Sequence, residues 1–422
     1  MDKRIVITGL GVVSPNGVGL NNFTNALKNG TSGIEYYKDL KELGFSCCIA
    51  GIPNVSEELK RNYFTELQLK NFNSSGILYG CMAGMDAWKD AGLSITDNTD
   101  FASGTIFGAG TSGVEKFREA IYKLDDKKVR RLGSTVVVQT MASGVSAYLG
   151  GILGLGNQVT TNSSACITGT EAILMGFDRI KAGGAKRMIV GSTSDHGPYV
   201  WGGFDALRVL TYKHNESPET GSRPMSASAT GFVPGSGAGA MVIESLESAL
   251  ERNATIYAEI LGGEVNSGGQ RNEGSMTAPN SEAVQRCIKN AVTNSNIDAK
   301  DIDAINGHLT ATSKDFTEID NWSKALNLKG NDFPYINSLK SMVGHCLSAS
   351  GAIESVASVL QIHHSFIFPN INCEDVNEQI ASLISEDKIP RDLIEKEVNI
   401  VAKASFGFGD INACLIFKKF QQ

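Results

Sequence analysis

Cys166 follows Thr161-Asn-Ser-Ser-Ala165 and opens Ile167-Thr-Gly-Thr-Glu-Ala-Ile-Leu-Met-Gly-Phe177, a run with the apolar spacing of a helix. That spacing puts the thiol in the first helical turn, where unpaired N–H groups and the helix dipole favour a thiolate, the nucleophilic form. Small and hydroxyl residues around it let a substrate approach closely. Most cysteines in such a chain are buried structural thiols, so Cys166 gains meaning only from its company. His308 ends the apolar segment Ala304-Ile-Asn-Gly-His308, and His345 ends Lys340-Ser-Met-Val-Gly-His345. Both fall at element ends, where site residues collect. A lone histidine is usually structural. Together, a thiolate that accepts an acyl group and two imidazoles that donate hydrogen bonds to a developing enolate oxygen form a coherent acyl-transfer set. Lys340 adds a cation, and Glu354 a carboxylate able to hold it.

The other histidines offer less. His363-His364 lies on an amphipathic helix tail and His214 in a polar loop, so both locations read as solvated, while His196 falls in a turn after a strand. Two glycine motifs are decoys. Gly9-x-Gly11-x-x-Ser14 is followed by Pro15 where a dinucleotide-binding helix would begin. Pro234-Gly-Ser-Gly-Ala-Gly239 lacks the Gly-Lys-Ser/Thr of a phosphate loop and reads as close backbone packing.

Elements must bring these residues together across a long chain. At 422 residues the sequence exceeds one ordinary hydrophobic core, so two core-forming units are expected. Glycine clusters between apolar runs indicate an α/β layered protein. A weak repeat relates residues 86–111 to 289–310, each a helix, a turn and a strand ending in small residues. Ser164–Ile173 and Gly344–Ile353 likewise each open a helix with small residues, which would set two helix starts facing each other. The boundary is expected near residue 250, giving 1–250 with the cysteine and 251–422 with the histidine pair. A net charge of −7 argues against a nucleic-acid binder. No apolar run approaches the ~20 residues of a membrane span, and no signal peptide is read, so a cytoplasmic protein is expected. Eight cysteines without a CxxC pair suit free thiols in a reducing compartment and no metal site.

In order, the segments Arg4-Ile-Val-Ile-Thr-Gly-Leu-Gly-Val-Val-Ser-Pro15, Ala165-Cys166, Gly202-Gly-Phe-Asp-Ala-Leu-Arg208, Arg223-Pro, Lys340-Ser-Met-Val-Gly-His345 and Ser405-Phe-Gly-Phe-Gly409 with Asn412 resemble the β-ketoacyl-acyl-carrier-protein synthases, especially the elongating type II enzymes. The resemblance covers essentially the whole chain. It implies a thiolase-like fold of two related halves in αβαβα layers, and a homodimer or a heterodimer with a ketosynthase-like subunit. It also implies that Cys166 takes an acyl group from acyl carrier protein, and that His308 and His345 assist decarboxylation of malonyl-carrier protein. Backbone N–H groups of Cys166 and Phe408 would form the oxyanion hole, with Phe408 gating the acyl pocket. Thr310 and Thr312 match the threonines that hold the phosphopantetheine arm; no other cofactor is implied. Lys340 and Glu354 match the family's supporting pair.

Carrier protein is acidic, so an acidic enzyme needs a local cationic landing site. Tyr122–Arg131 is the densest basic cluster, and Lys127, Lys128, Arg130 and Arg131 are its docking candidates, against the alternative of a merely solvated loop. The sequence departs from the family in several places. Leu309 stands where a glycine follows the first histidine, and Ser313-Lys-Asp315 is one residue short. Met225–Thr230 lacks charged residues, Asp410-Ile411 replaces Gly-Thr beside Phe408, and Ile167 replaces a threonine. A specialised ketosynthase of a polyene or polyketide pathway would differ in its acyl pocket, where Thr111 and Phe204 are candidate lining residues. An intact Cys166 counts against a non-catalytic chain-length-factor-like partner. A degradative thiolase would need a second catalytic cysteine, but Cys414 is expected in the core.

Overall fold

In the computed structural model, which describes residues 3–70 and 72–421, the chain follows one path twice. The first pass lays down β1 (Ile5–Ser14), β2 (Ser103–Ala109), β3 (Val159–Thr160), β4 (Arg187–Ser194) and β5 (Gly237–Ser245). The second lays down β6 (Ala258–Ser267), β7 (Ala304–Asn306), β8 (Tyr335–Asn337), β9 (Ile400–Gly407) and β10 (Ile411–Lys418). Hydrogen bonding orders them β8-β7-β9-β10-β6-β1-β5-β4-β2-β3, with a short strand Gly17–Val18 beside β1. Counted outward from the centre, each half runs first, fifth, fourth, second, third. In each half the outer three strands are parallel and the inner pairings antiparallel. The halves join where Ile5–Ile7 pairs antiparallel with Ala258–Ile260.

Five helices make the other layers: α1 (Ser75–Asp90), α2 (Thr168–Lys181), α3 (Ser281–Asn294), α4 (Asp315–Leu326) and α5 (Ser350–His364). Helix α1 covers β1, β5 and β4 from outside, while α3, backed by α4, covers β6 and β10. Between the halves lie α2 and α5, each touching strands of both. This is the thiolase-like αβαβα arrangement. The repeat segments 86–111 and 289–310 lead into β2 and β7, the second strand of each half.

Besides a cluster within each half, as chain length suggests, one buried cluster belongs to both, joining Ile5, Ile173 and Ile243 to Ile260, Ile353 and Leu415. The reason is that α2 and α5 sit inside and must bury apolar surface against both layers. Outer clusters lie under α1, around Met82, Trp88 and Phe107, and under α3 and α4, around Val284, Ile319 and Trp322. The glycine decoys are packing devices. A Cβ on Gly9 or Gly11 would meet carbonyl oxygens of α1 at 2.1 and 1.9 Å, and one on Gly239 would meet Ala352 at 2.5 Å.

Short 3₁₀ turns, Ala165–Ile167 and Leu347–Ala349, introduce α2 and α5, each opened by a residue with positive φ, Ala165 at 47° and Leu347 at 51°. The two helices then touch backbone to backbone. A Cβ on Gly169 would lie 2.4 Å from the Ala352 nitrogen, and one on Gly351 would lie 2.6 Å from the Thr170 nitrogen. Gly169→Ala should therefore overpack the crossing and cost about 3 kcal/mol, read from its urea unfolding midpoint. A loss below about 0.5 kcal/mol, the size of an ordinary surface change, would show that the crossing relaxes freely.

Candidate active site

The turn before α2 delivers Cys166 to the crossing, and the loop before α5 delivers His345. Cys166 Sγ lies 3.2 Å from His345 Nε2, whose other ring nitrogen is 2.9 Å from Ser350 Oγ. His308, just beyond β7, meets the His345 ring edge-on at 85° with centroids 5.3 Å apart. One atom from each of Cys166, His308 and His345 falls within 4.8 Å of the others. The sequence-predicted trio is thus one cluster. Its donor set could also take a soft divalent cation by spacing alone.

The protonation states differ from the sequence expectation. Burial pushes the Cys166 thiol up to about 11; Lys340 and the N–H groups of Phe408 and Cys166 pull it down, and Glu354 pushes it up. The helix-start thiolate is therefore not the resting form, because the turn is buried and desolvation outweighs nearby dipoles. Burial, followed by the charge of Lys340, also holds His308 and His345 well below the ordinary histidine range. Both imidazoles are neutral at pH 7. A neutral thiol against a neutral imidazole can pass its proton when an electrophile arrives.

Behind the histidines, Lys340 pairs with one oxygen of Glu354, and Lys403 lies 2.8 Å from the other. All three side chains are buried. Lys403 Nζ also donates to Ser405 Oγ at 3.0 Å, which is 2.9 Å from Thr170 Oγ1 on α2. Lys403 escaped the sequence reading, although a lysine inside Ile400-Val-Ala-Lys403-Ala-Ser405 was its signal. Of two further acids, Glu318 escaped it and Asp315 was read only as the end of a shortened motif. Glu318 accepts the N–H groups of His308 and Leu309, both at 2.7 Å. Asp315 accepts those of Thr310 and Met225, both at 2.9 Å, and that of Ala311 at 3.1 Å. The loop carrying His308 hangs from these carboxylates at the head of α4. Burial raises Glu318 to about 7, with Asp315 adding to the push, and raises Asp315 to about 6. Asp-x-x-Glu opening a helix was the available sign. Leu309, at the family's glycine position, turns its side chain into the core under α4.

A cavity of about 420 Å³ opens onto the cluster, lined by Cys166, His308, His345, Thr310, Thr312, Phe204 and Phe408 among others. The Thr310 and Thr312 hydroxyls are 3.2 Å apart. Phe204 and Phe408 ring centroids are 6.0 Å apart, next to the thiol. Thr111 does not belong to this wall. It lies exposed past the end of β2, where the chain leaves the sheet for the surface. Lys127, Lys128, Arg130 and Arg131 are exposed beyond the helix Val114–Asp125, and Lys128 pairs with Asp126 at 2.7 Å. That helix packs on Pro198–Ala206, which carries Phe204. His363 and His364 are exposed, His196 bonds Tyr79 at 2.9 Å, and Cys414 lies buried in β10.

The fold and the cluster together define an acyltransferase site of the thiolase-like class. The Beta-ketoacyl synthase N-terminal domain model matches residues 2–249, and the C-terminal domain model matches residues 257–374. A 3-oxoacyl-[acyl-carrier-protein] synthase 1 of Haemophilus influenzae is 33% identical over 99% of this chain and 99% of its own length. A 3-oxoacyl-[acyl-carrier-protein] synthase 2 of Staphylococcus aureus is 35% identical over 100% and 99%. Among solved structures, a chain of AntDE:AntF, a type II polyketide synthase acyl carrier protein in complex with its ketosynthase, superposes with a TM-score of 0.88 at 27% identity, covering 100% of both chains. The chain belongs to the β-ketoacyl synthase family.

The raised thiol gives a pH prediction. Alkylation of Cys166 by iodoacetamide should climb about tenfold per pH unit through pH ~9.5 and not level off at the ordinary cysteine value of about 8.5. Lys340→Met should move the profile to higher pH, since the charge that lowers this thiol is gone. A plateau near pH ~8.5 in the parent protein would contradict the buried, protonated resting state.

Proposed function

We propose that this chain is a 3-oxoacyl-acyl-carrier-protein synthase that extends acyl chains by two carbons in fatty acid biosynthesis. Cys166 attacks the thioester of an acyl-carrier protein, passing its proton through His345 to the departing pantetheine sulfur. The N–H groups of Cys166 and Phe408 hold the oxyanion. Malonyl-carrier protein then binds, with Thr310 and Thr312 holding its phosphopantetheine arm. As carbon dioxide leaves, His308 donates a hydrogen bond to the enolate oxygen, and His345 does so once its ring proton has moved from the nitrogen facing Ser350 to Nε2. The carbanion attacks the acyl thioester, and the Cys166 sulfur leaves as a thiolate that takes up one proton from solvent to restore the resting thiol. The observation that carries this reading is the 3.2 Å contact between Cys166 Sγ and one of two neutral imidazoles, on the wall of the cavity. The names of the full-length relatives favour fatty acid synthesis over a polyketide pathway. Beyond the carrier's phosphopantetheine, the reaction requires no cofactor or metal.

Acyl carrier protein is the proposed partner, docking on Lys127, Lys128, Arg130 and Arg131, and the AntDE:AntF complex supports a carrier-bound ketosynthase of this fold. The open edge of the sheet at β3 supports a homodimer, since an unpaired strand is a ready template for a second copy. Eight free, buried cysteines support a reducing cytoplasmic setting.

Mass spectrometry after incubation with a panel of acyl-carrier proteins should show the acyl adduct on Cys166 and on no other residue. His308→Ala should still acylate but lose about 10²–10³-fold in condensation, the usual cost of one oxyanion donor. No adduct from any acyl donor would overturn the reading. Reversing Lys127 and Lys128 to Glu should raise the apparent KM for acyl-carrier protein about tenfold and leave that for a carrier-free acyl thioester unchanged. An unchanged carrier KM would remove the docking surface.

A further inference from the structure

Cys166, His308 and His345 are also a compact set of metal donors, one sulfur and two nitrogens. Cys166 Sγ and His345 Nε2 are 3.2 Å apart, and one ring nitrogen of His308 lies within 4.8 Å of both. Bonds of about 2.0–2.3 Å to a single ion hold such donors roughly 3.5 Å apart, so the ion fits with shifts on the order of 1 Å. His345 Nδ1 is 2.9 Å from Ser350 Oγ. With the ring proton there, Nε2 offers its lone pair toward the sulfur, the arrangement usual for a metal-bound histidine. His308 Nδ1 is buried and has no hydrogen-bond partner among the described residues, so that nitrogen loses no bond when the ring turns. The cavity opens onto all three side chains and gives an ion its way in. Cysteine spacing carries no sign of this set, because its nitrogens come from histidines far along the chain.

Spacing alone would admit a divalent ion; charge narrows the choice. Lys340 and Lys403 share the single carboxylate of Glu354 behind the histidines, and all three are buried, so the site carries surplus positive charge in a low dielectric. A monovalent ion that takes the place of the thiol proton leaves that charge as it was, whereas zinc adds one unit to it. Thiolate and imidazole ligands also suit a soft ion. We propose that Cys166, His308 and His345 form an inhibitory site for a soft monovalent metal ion, cuprous copper, bound through one sulfur and two nitrogens. The copper–sulfur bond forms as the S–H bond breaks, the proton goes to solvent, and nothing is oxidised or reduced. Each copper–nitrogen bond uses the lone pair of an imidazole. The metal occupies the nucleophile, so it blocks the site and takes no part in its chemistry. Binding follows from geometry and charge; its effect on condensation rests on the acyl-transfer reading.

The test adds cuprous ion anaerobically to the full chain, its free concentration set by the chelator bicinchoninate, and follows iodoacetamide alkylation of Cys166 by mass spectrometry. Copper at about ten times its dissociation constant should slow that alkylation about tenfold. In His308→Ala, with each rate compared to the variant's own metal-free rate, half-protection should need about tenfold more free copper, the scale of a weakened ligand set. Unchanged copper sensitivity in a folded His308→Ala would show that the thiol binds alone and overturn the site. Should that variant fail to fold, X-ray absorption of the parent chain with one equivalent of copper decides: one sulfur and two nitrogens support the site, and two sulfurs overturn it. Zinc at the free concentration where copper half-protects should leave the rate within about 10% of the metal-free one, as a tenfold weaker affinity requires. Equal protection by zinc would overturn the choice of a monovalent ion. Condensation on acyl-carrier protein should fall in step with alkylation. If copper binds through one sulfur and two nitrogens but the metal-free chain condenses no acyl group, the acyl-transfer reading falls and the site stands. Normal condensation with no protection of Cys166 removes the site alone.

Discussion

The contact of α2 with α5 at Gly169 and Gly351 sets the positions of Cys166 and His345, on which the rest of the site is built. Two helices can approach to backbone distance only where both lack side chains, and each glycine here faces the backbone of the other helix. Because the contact lies within a turn of both helix starts, it also fixes the turns that precede them. Cys166 comes from the first half and His345 from the second, 179 residues later, yet they meet at 3.2 Å. Neither half contains the site alone. The shared core around Ile173, Ile243, Ile353 and Leu415 then makes the geometry rigid, since interiors packed this densely do not slide.

A second constraint is electrostatic. Lys340, Glu354 and Lys403 are buried together, two ammonium groups on one carboxylate. Such a group gains little net stability over an apolar filling, but removing one member strands a charge in low dielectric. Its effect is felt one layer forward. The surplus positive charge adds to burial in keeping His308 and His345 unprotonated, and Lys340 pulls the Cys166 thiol partway back toward ionisation. Lys403 also reaches α2 through Ser405 and Thr170, so the cluster braces the crossing as well as polarising the site.

Much of this was legible in the sequence because it is local. Helical spacing after Cys166, apolar strands ending at His308, the paired segments 86–111 and 289–310, and Cys414 inside a terminal strand all depend on neighbours within a few residues. What escaped depends on partners far along the chain. Cys166 reads as a thiolate at a helix start until burial is known, and burial is decided by Phe204, Phe408 and the opposite half. Lys403 looks like a stray charge in a strand until Glu354 is placed beside it. Thr111 lies at the end of the right strand but turns outward, a direction that strand periodicity does not give beyond the last paired residue. Asp410 was visible as a departure, yet the backbone N–H groups of Gln270 and Asn280 that it accepts lie 140 and 130 residues away.

The neutral resting state, which runs against the local reading of Cys166, suits decarboxylative condensation better than a charged one would. A malonyl carboxylate loses its charge as it becomes carbon dioxide, so a cation placed against it would stabilise the ground state more than the transition state. Two neutral imidazoles offer no such anchor. They donate to an enolate oxygen whose charge grows only as the carbon–carbon bond breaks, which is where added stabilisation accelerates the step. Apolar walls extend the effect: Phe232 lies 5.2 Å from the His345 ring and Phe406 lies 6.1 Å from His308. Around those rings a carboxylate is poorly solvated and its neutral product is not. The desolvation that keeps the thiol protonated at rest is therefore the same property that favours loss of carbon dioxide once the thiol is acylated, and the site cannot have one without the other.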